Sequence, residues 1–147
     1  PSFGPERRGA PVVAFCRISE KQIKLRTNIT NPNLVVALNH TIIKIVNVAA
    51  GLREGGVVVM NTKHPCRDIR EEMKLTCKVA TVDATRIARE ETKLPITNVT
   101  MLGALLKAWE ILPPDTLIGP IQRRFGKVAE GNIRAFRRAY AETEVLG

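Results

Sequence analysis

Two adjacent arginines, Arg7 and Arg8, sit between Pro5 and the run Gly9-Ala10-Pro11. A guanidinium is a planar fork of donors that grips a phosphate or a carboxylate through parallel hydrogen bonds. The prolines and glycines around the pair make residues 1–11 a loop with a closely shaped backbone. Glu6, beside them, is placed to order one guanidinium or to pair across an interface. The competing reading is a basic loop in water. A third arginine, Arg17, lies inside the apolar run of residues 12–18, VVAFCRI. A charge there needs a partner, or else it ends the strand and reaches water along its aliphatic stem.

Other polar residues gather where apolar runs stop: Asn39-His40, Asn61-Thr62 and Asp83-Ala84-Thr85. Open α/β sheets bind ligands beyond the carboxyl ends of their strands, so these positions could line a crevice. The plainer reading is that strands end where polarity begins, and that Asn, Asp and Thr cap the next helix. The three cysteines, Cys16, Cys66 and Cys77, form no C-x-x-C. Their odd number argues against a disulfide framework, and three cannot supply a four-ligand zinc or iron–sulfur site from this chain alone. That usage fits a reducing cytoplasm. His40 and His64 lack the H-x-x-x-H spacing of a helical metal site and read as local hydrogen-bonding residues. G-x-S-x-G, the P-loop and G-x-G-x-x-G are all missing, and nothing marks Asp83 or Glu6 as an acid or base. These residues describe a binding or assembly domain, not a complete enzyme.

The elements that must position them follow from pattern. The 147 residues suit one domain with a real core. Apolar residues make up 44% and charged residues 25%, which excludes a disordered tail. No apolar run approaches the roughly 18–20 residues of a membrane span, and no secretory leader opens the sequence. Residues 12–18 and 22–26 read as a β-hairpin with one wetter strand. Residues 34–38 (LVVAL) and 57–60 (VVVM) are continuous apolar runs that read as buried strands, the first buried on both faces, and residues 79–82 read as a third short strand. Residues 41–50 carry Ile42, Ile45, Val46 and Ala49 at helical spacing, with Gly51 as the stop. Residues 65–74 and 84–91 read as helices, the second capped by Asp83. From Thr97 onward the pattern is helical: one helix through Trp109, a break at Pro113-Pro114-Asp115, another ended by Gly126, and a last one with Ile133, Phe136 and Tyr140 on one stripe. The expected class is α/β: a mainly parallel sheet with flanking helices, a β-hairpin near the N-terminus and a helical C-terminal third.

The formal net charge is +9, from 23 basic and 14 acidic residues. The basic residues are dispersed, aromatics are only 4% and no zinc finger, RNP motif or KH loop is present, so base-stacking platforms are scarce. A basic surface facing acidic partner subunits or a phosphorylated cofactor ranks ahead of nucleic acid.

The loop FGPERRGAP at residues 3–11, with the run that follows it, resembles the gamma subunit (gamma domain) of 2-oxoacid:ferredoxin oxidoreductases, closest to the pyruvate synthase type. The likeness continues at residues 23–26, at Gly55-Gly56-Val57-Val58-Val59 with Asn61-Thr62, at Val82-Asp83-Ala84-Thr85 with Ile87-Ala88, at Asn98 with Met101-Leu102-Gly103-Ala104, and at Asn132-Ile133-Arg134. It runs through essentially the whole chain. Arg8-Gly9-Ala10-Pro11 resembles the pyruvate and branched-chain branch more than the 2-oxoglutarate branch. The family normally opens with a strand and a G-x-G-G-Q-G turn before this loop, whereas this sequence begins at the loop. The resemblance therefore implies a Rossmann-like gamma-type domain over residues 1–147 that is N-terminally incomplete.

It also implies a role. Such enzymes interconvert a 2-oxoacid plus coenzyme A with acyl-CoA, CO2 and reduced ferredoxin. Thiamine diphosphate, Mg and [4Fe-4S] clusters belong to the alpha, beta and ferredoxin-like delta partners, and ferredoxin accepts the electrons. This chain would serve assembly and help bind coenzyme A. Arg7, Arg8 and Arg17 are then candidates for coenzyme A phosphates or for the subunit interface, with Phe3, Glu6 and Gly9 at that interface. No catalytic or metal-binding residue, no nucleic acid and no membrane is expected. The alternative is a stand-alone α/β domain that binds a nucleotide or another anion at its strand ends, with a basic nucleic-acid module behind it.

Overall fold

In a computed structural model, the structure describes residues 11–24 and 27–147. Its centre is a four-stranded sheet, ordered β1 (Leu34–Ala37), β2 (Val57–Asn61), β3 (Lys78–Val82) and β4 (Glu144–Leu146). The first three run parallel, in a register that sets Leu34 beside Val57 and Val57 beside Lys78. β4 is antiparallel to β3, with Ala80 opposite Val145. Among the described residues, five α-helices accompany the sheet: α1 (Cys66–Glu72), α2 (Ala84–Thr92), α3 (Asn98–Ala108), α4 (Ile118–Phe125) and α5 (Ala129–Glu142). The expected mainly parallel α/β architecture with a helical final third is the one observed. No helix among the described residues is long and apolar enough to cross a membrane.

Strand periodicity explains the layers. All five residues of β2 are buried, and successive side chains point to opposite faces. Val57 and Val59 share one face with Ala80, Val82, Ile87 of α2, Met101 and Ala104 of α3, and Ala135 of α5. Val58 and Met60 point the other way, with Ala37, Val79 and, from α1, Cys66 and Ile69. Both faces are covered, so the strand is a continuous apolar run, not an alternating one. A third apolar cluster, centred on the fully buried Phe136, joins α3, α4 and α5 outside the first layer.

The stretch 41–50 departs from the expected helix. It forms one 3-10 turn, His40–Lys44, followed by turns. Thr41, Ile42, Ile43, Ile45, Val46 and Val48 are all β-branched and poor helix formers. Asn47 Oδ1 accepts from Ala49 N at 3.1 Å, which stabilises a turn in place of a helical ladder. The stripe is split as a result. Ile42 and Ala49 pack on the sheet, whereas Ile45 is 68% exposed and Val46 41%. Gly51 closes the segment at φ 73°, where an added Cβ would also meet the Thr30 carbonyl.

Of the expected hairpin, the described residues show one bridge residue, Val13. Leu25 and Arg26 of its second strand lie outside them. Residues 12–18 are exposed throughout and form no strand. Strand propensity alone does not make a strand where no face is buried. β4 was not expected at all; three residues after a long helix leave too short a period to detect.

Gly103 explains the Met101-Leu102-Gly103-Ala104 element. A Cβ built there would collide with the Phe136 carbonyl of α5 and come within 3.0 Å of Tyr140 N. Only a glycine lets the two helix backbones approach this closely. On the outer side, α2 and α5 are joined by a network of ion pairs. Arg138 contacts Glu90 and Glu91 at 2.8 Å and Glu142 at 2.9 Å. Arg86 reaches Glu142 at 2.6 Å, and Arg134 reaches Glu91 at 2.8 Å. Hydrogen bonds from Arg138 hold the Glu90 and Glu91 carboxyls below their usual range, with Arg134 adding to the effect at Glu91. Burial pushes the Glu142 carboxyl up, but Arg86 and Arg138 outweigh it and leave it lowered. Single exposed pairs contribute little to stability, whereas shared arginines make these a network.

Two outcomes are expected. Replacing Gly103 with Ala should destabilise the chain by about 1–3 kcal/mol, because overpacking against backbone outweighs the gain in helix propensity. An unchanged urea midpoint would show that α3 and α5 have room to spare. Three carboxyls have folded values below their unfolded ones, so their contribution is complete above the unfolded carboxyl range, about pH 4.3, and is lost as pH falls through the lowered values. The urea midpoint should therefore drop steeply below that pH, and Arg138→Ala should make the drop shallower. Parallel pH curves for the two proteins would rule the network out as the source.

Candidate functional site

The carboxyl ends of β1, β2 and β3 lie on one edge of the sheet, as parallel strands require, and bring together the polar residues singled out by sequence. Their geometry shows what they do. Asn61, buried at the end of β2, donates from Nδ2 to the Leu38 carbonyl and to Thr85 Oγ1, both at 2.9 Å. Its Oδ1 accepts from Thr85 N at 3.3 Å. One side chain thus ties the end of β1 to the end of β2 and the first turn of α2.

The neighbours are similarly engaged. Asn39 Oδ1 accepts from Thr41 N at 3.0 Å and caps the 3-10 turn. Thr62 Oγ1 accepts from His64 N at 3.1 Å. Asp83 Oδ1 accepts from Arg86 N at 2.9 Å and caps α2, as its position predicted. Two open hollows of about 370 and 460 Å³ lie elsewhere. The first is beside residues 43–47, Glu72 and Met73. The second is at the amino ends of β2 and β3, beside Lys78 and Trp109. Neither is lined by Asn61, Thr62 or Asp83. The capping reading of the strand ends, and not the crevice reading, fits this geometry.

The histidines meet, which their spacing did not reveal. The His40 and His64 rings lie 5.0 Å apart at 47°. His40 Nε2 stands 3.4 Å from Glu72 Oε2 at the end of α1. That nitrogen is buried and has no hydrogen-bond partner, so the contact has the distance of an ion pair without its direction. Nε2 therefore makes no local hydrogen bond of the kind expected for His40. Among the described residues, no three His, Cys, Asp or Glu side chains form a group able to hold a metal ion.

Cys66 is the other residue whose role the sequence hid. Its Sγ lies 3.4 Å from the Val79 carbonyl, 3.3 Å from Thr81 Oγ1 and 3.2 Å from the Glu144 carbonyl. Burial pushes the thiol pKa up, against the lowering effect of the Thr81 hydrogen bond. The group therefore stays protonated and joins α1 to β3 and β4. Arg70 works beside it, donating from Nη2 to the Cys77 and Leu146 carbonyls at 2.9 and 3.2 Å. Together they hold down the short β4. Of the arginines proposed for phosphate or interface contacts, Arg17 is exposed. It is not a strand residue buried with a partner. Phe3, Glu6, Arg7, Arg8 and Gly9 lie outside the described residues.

Asn61→Ala should lower stability by about 1–3 kcal/mol, because it leaves the Thr85 hydroxyl and Leu38 carbonyl without a partner. Asn61→Asp should cost at least as much, since a carboxylate cannot donate to that carbonyl. Thermal unfolding of the two variants checks this, and an Asp variant as stable as the parent would overturn the donor assignment.

Residues 1–142 match the family described as pyruvate ferredoxin/flavodoxin oxidoreductase. The chain is 44% identical over 148 residues to the pyruvate/ketoisovalerate oxidoreductases common subunit gamma of Pyrococcus furiosus, covering 99% of this chain and 80% of that one. It is 42% identical over 149 residues to the pyruvate synthase subunit PorC of Methanothermobacter thermautotrophicus, covering 99% and 78%. The crystal structure of the pyruvate oxidoreductase subunit PORC of Thermotoga maritima superposes with a TM-score of 0.75 at 33% identity, over 81% of this chain and 67% of that one. With nearly every residue of the chain aligned and the same fold beneath the alignment, the chain belongs to the pyruvate ferredoxin/flavodoxin oxidoreductase family.

Proposed function

We propose that the chain is the gamma-type subunit of a thiamine diphosphate-dependent 2-oxoacid:ferredoxin oxidoreductase of the pyruvate synthase type. The complex interconverts pyruvate plus coenzyme A with acetyl-CoA, CO2 and reduced ferredoxin. The observation that carries this reading is the 44% identity to a common gamma subunit over 99% of the chain. Residues 1–147 act as one gamma-type domain whose role is assembly, and the chain alone is inactive. The chemistry of decarboxylation and electron transfer belongs to partners. Alpha, beta and ferredoxin-like delta subunits hold thiamine diphosphate, Mg and the [4Fe-4S] clusters, and ferredoxin takes the electrons in the cytoplasm.

The chain's own geometry suits that division. Cys66 is bound up with the backbone of β3 and β4, so it is no cluster ligand. The polar carboxyl edge of the sheet is closed by hydrogen bonds among its own residues. Arg17 is different. Its exposure leaves the guanidinium accessible to a phosphate of coenzyme A or to a carboxylate of a neighbouring subunit. Arg7 and Arg8 are proposed for the same use, and Phe3, Glu6 and Gly9 for the adjoining interface.

Native pull-down of the chain, with intact-mass identification of what comes with it and assay of iron and thiamine, tests the assignment. Larger subunits carrying both are expected; a lone chain free of both would overturn it. In the assembled enzyme, Arg17→Ala should raise KM for coenzyme A several-fold and leave KM for the 2-oxoacid nearly unchanged. An unaltered KM for coenzyme A would remove Arg17 from the phosphate contacts and leave it to the interface.

A further inference from the structure

We draw no further inference here: the strongest candidate, the exposed apolar side chains of Leu38, Ile45 and Val46 that follow the edge strand β1, carries nothing because nothing in the structure shows what covers them.

Discussion

β2 must be hidden from water on both faces, and most of the molecule answers to that requirement. Its side chains Val57, Val58, Val59 and Met60 are at most 4% exposed. Burial of side chains of this size stabilises by roughly 1.5–3 kcal/mol each, but only if both faces receive a cover and the backbone is paired on both edges. β1 and β3 supply the pairing. The turn segment after β1 and helix α1 cover one face; α2, α3 and α5 cover the other. Helices on both faces are also what parallel connections demand, because each crossover must leave the sheet and return.

The two covers are fixed by different means. On the α1 side, small polar devices do the work: the Cys66 thiol and the Arg70 guanidinium reach carbonyls of β3, β4 and the loop before β3. On the other side, backbone proximity does it. Gly103 lets α3 lie against the α5 backbone, and alanines at 104, 135 and 139 continue the close fit beneath. Small residues leave little apolar area per contact, so this layer gains from the arginine–glutamate network that joins α2 to α5 at its rim.

How much of this could be read in advance depended on whether the cause was local. Two of the parallel strands were legible because a strand buried on both faces is a continuous apolar run, and 34–38 and 57–60 are such runs; 79–82, interrupted by the buried Thr81, was legible as a short β-rich segment. The start of α2 was legible because an Asp cap is a one-turn signal, and Asp83 makes that bond. In 41–50 the apolar spacing of a helix competes with a run of β-branched residues, and the latter decides the conformation. β4 escaped because its stability comes from β3, Cys66 and Arg70, none of them near it in sequence. At the candidate site, the identity of the strand-end residues was legible but their use was not. Asn61 bonds to residues 23 and 24 positions away, and the His40–Glu72 approach spans a whole crossover. No spacing rule contains such pairs.

That same fact bears on function. A ligand-binding edge keeps donors and acceptors open for its ligand, whereas here Asn39, Asn61, Thr62 and Asp83 each accept a bond from a backbone N–H of this chain. Freeing them for a ligand would leave backbone donors unmet and loosen the start of α2 and the end of β1 together, at a cost of about 1–3 kcal/mol for each buried group left unpaired. The sheet edge is therefore organised for rigidity. A rigid edge keeps the geometry it imposes on whatever packs against it, since a positioning surface that yields loses that geometry. At the carboxyl ends of the parallel strands, where open α/β sheets ordinarily offer a crevice, the polar side chains of this chain are hydrogen-bonded to one another and to its own backbone, and Arg17 stands exposed.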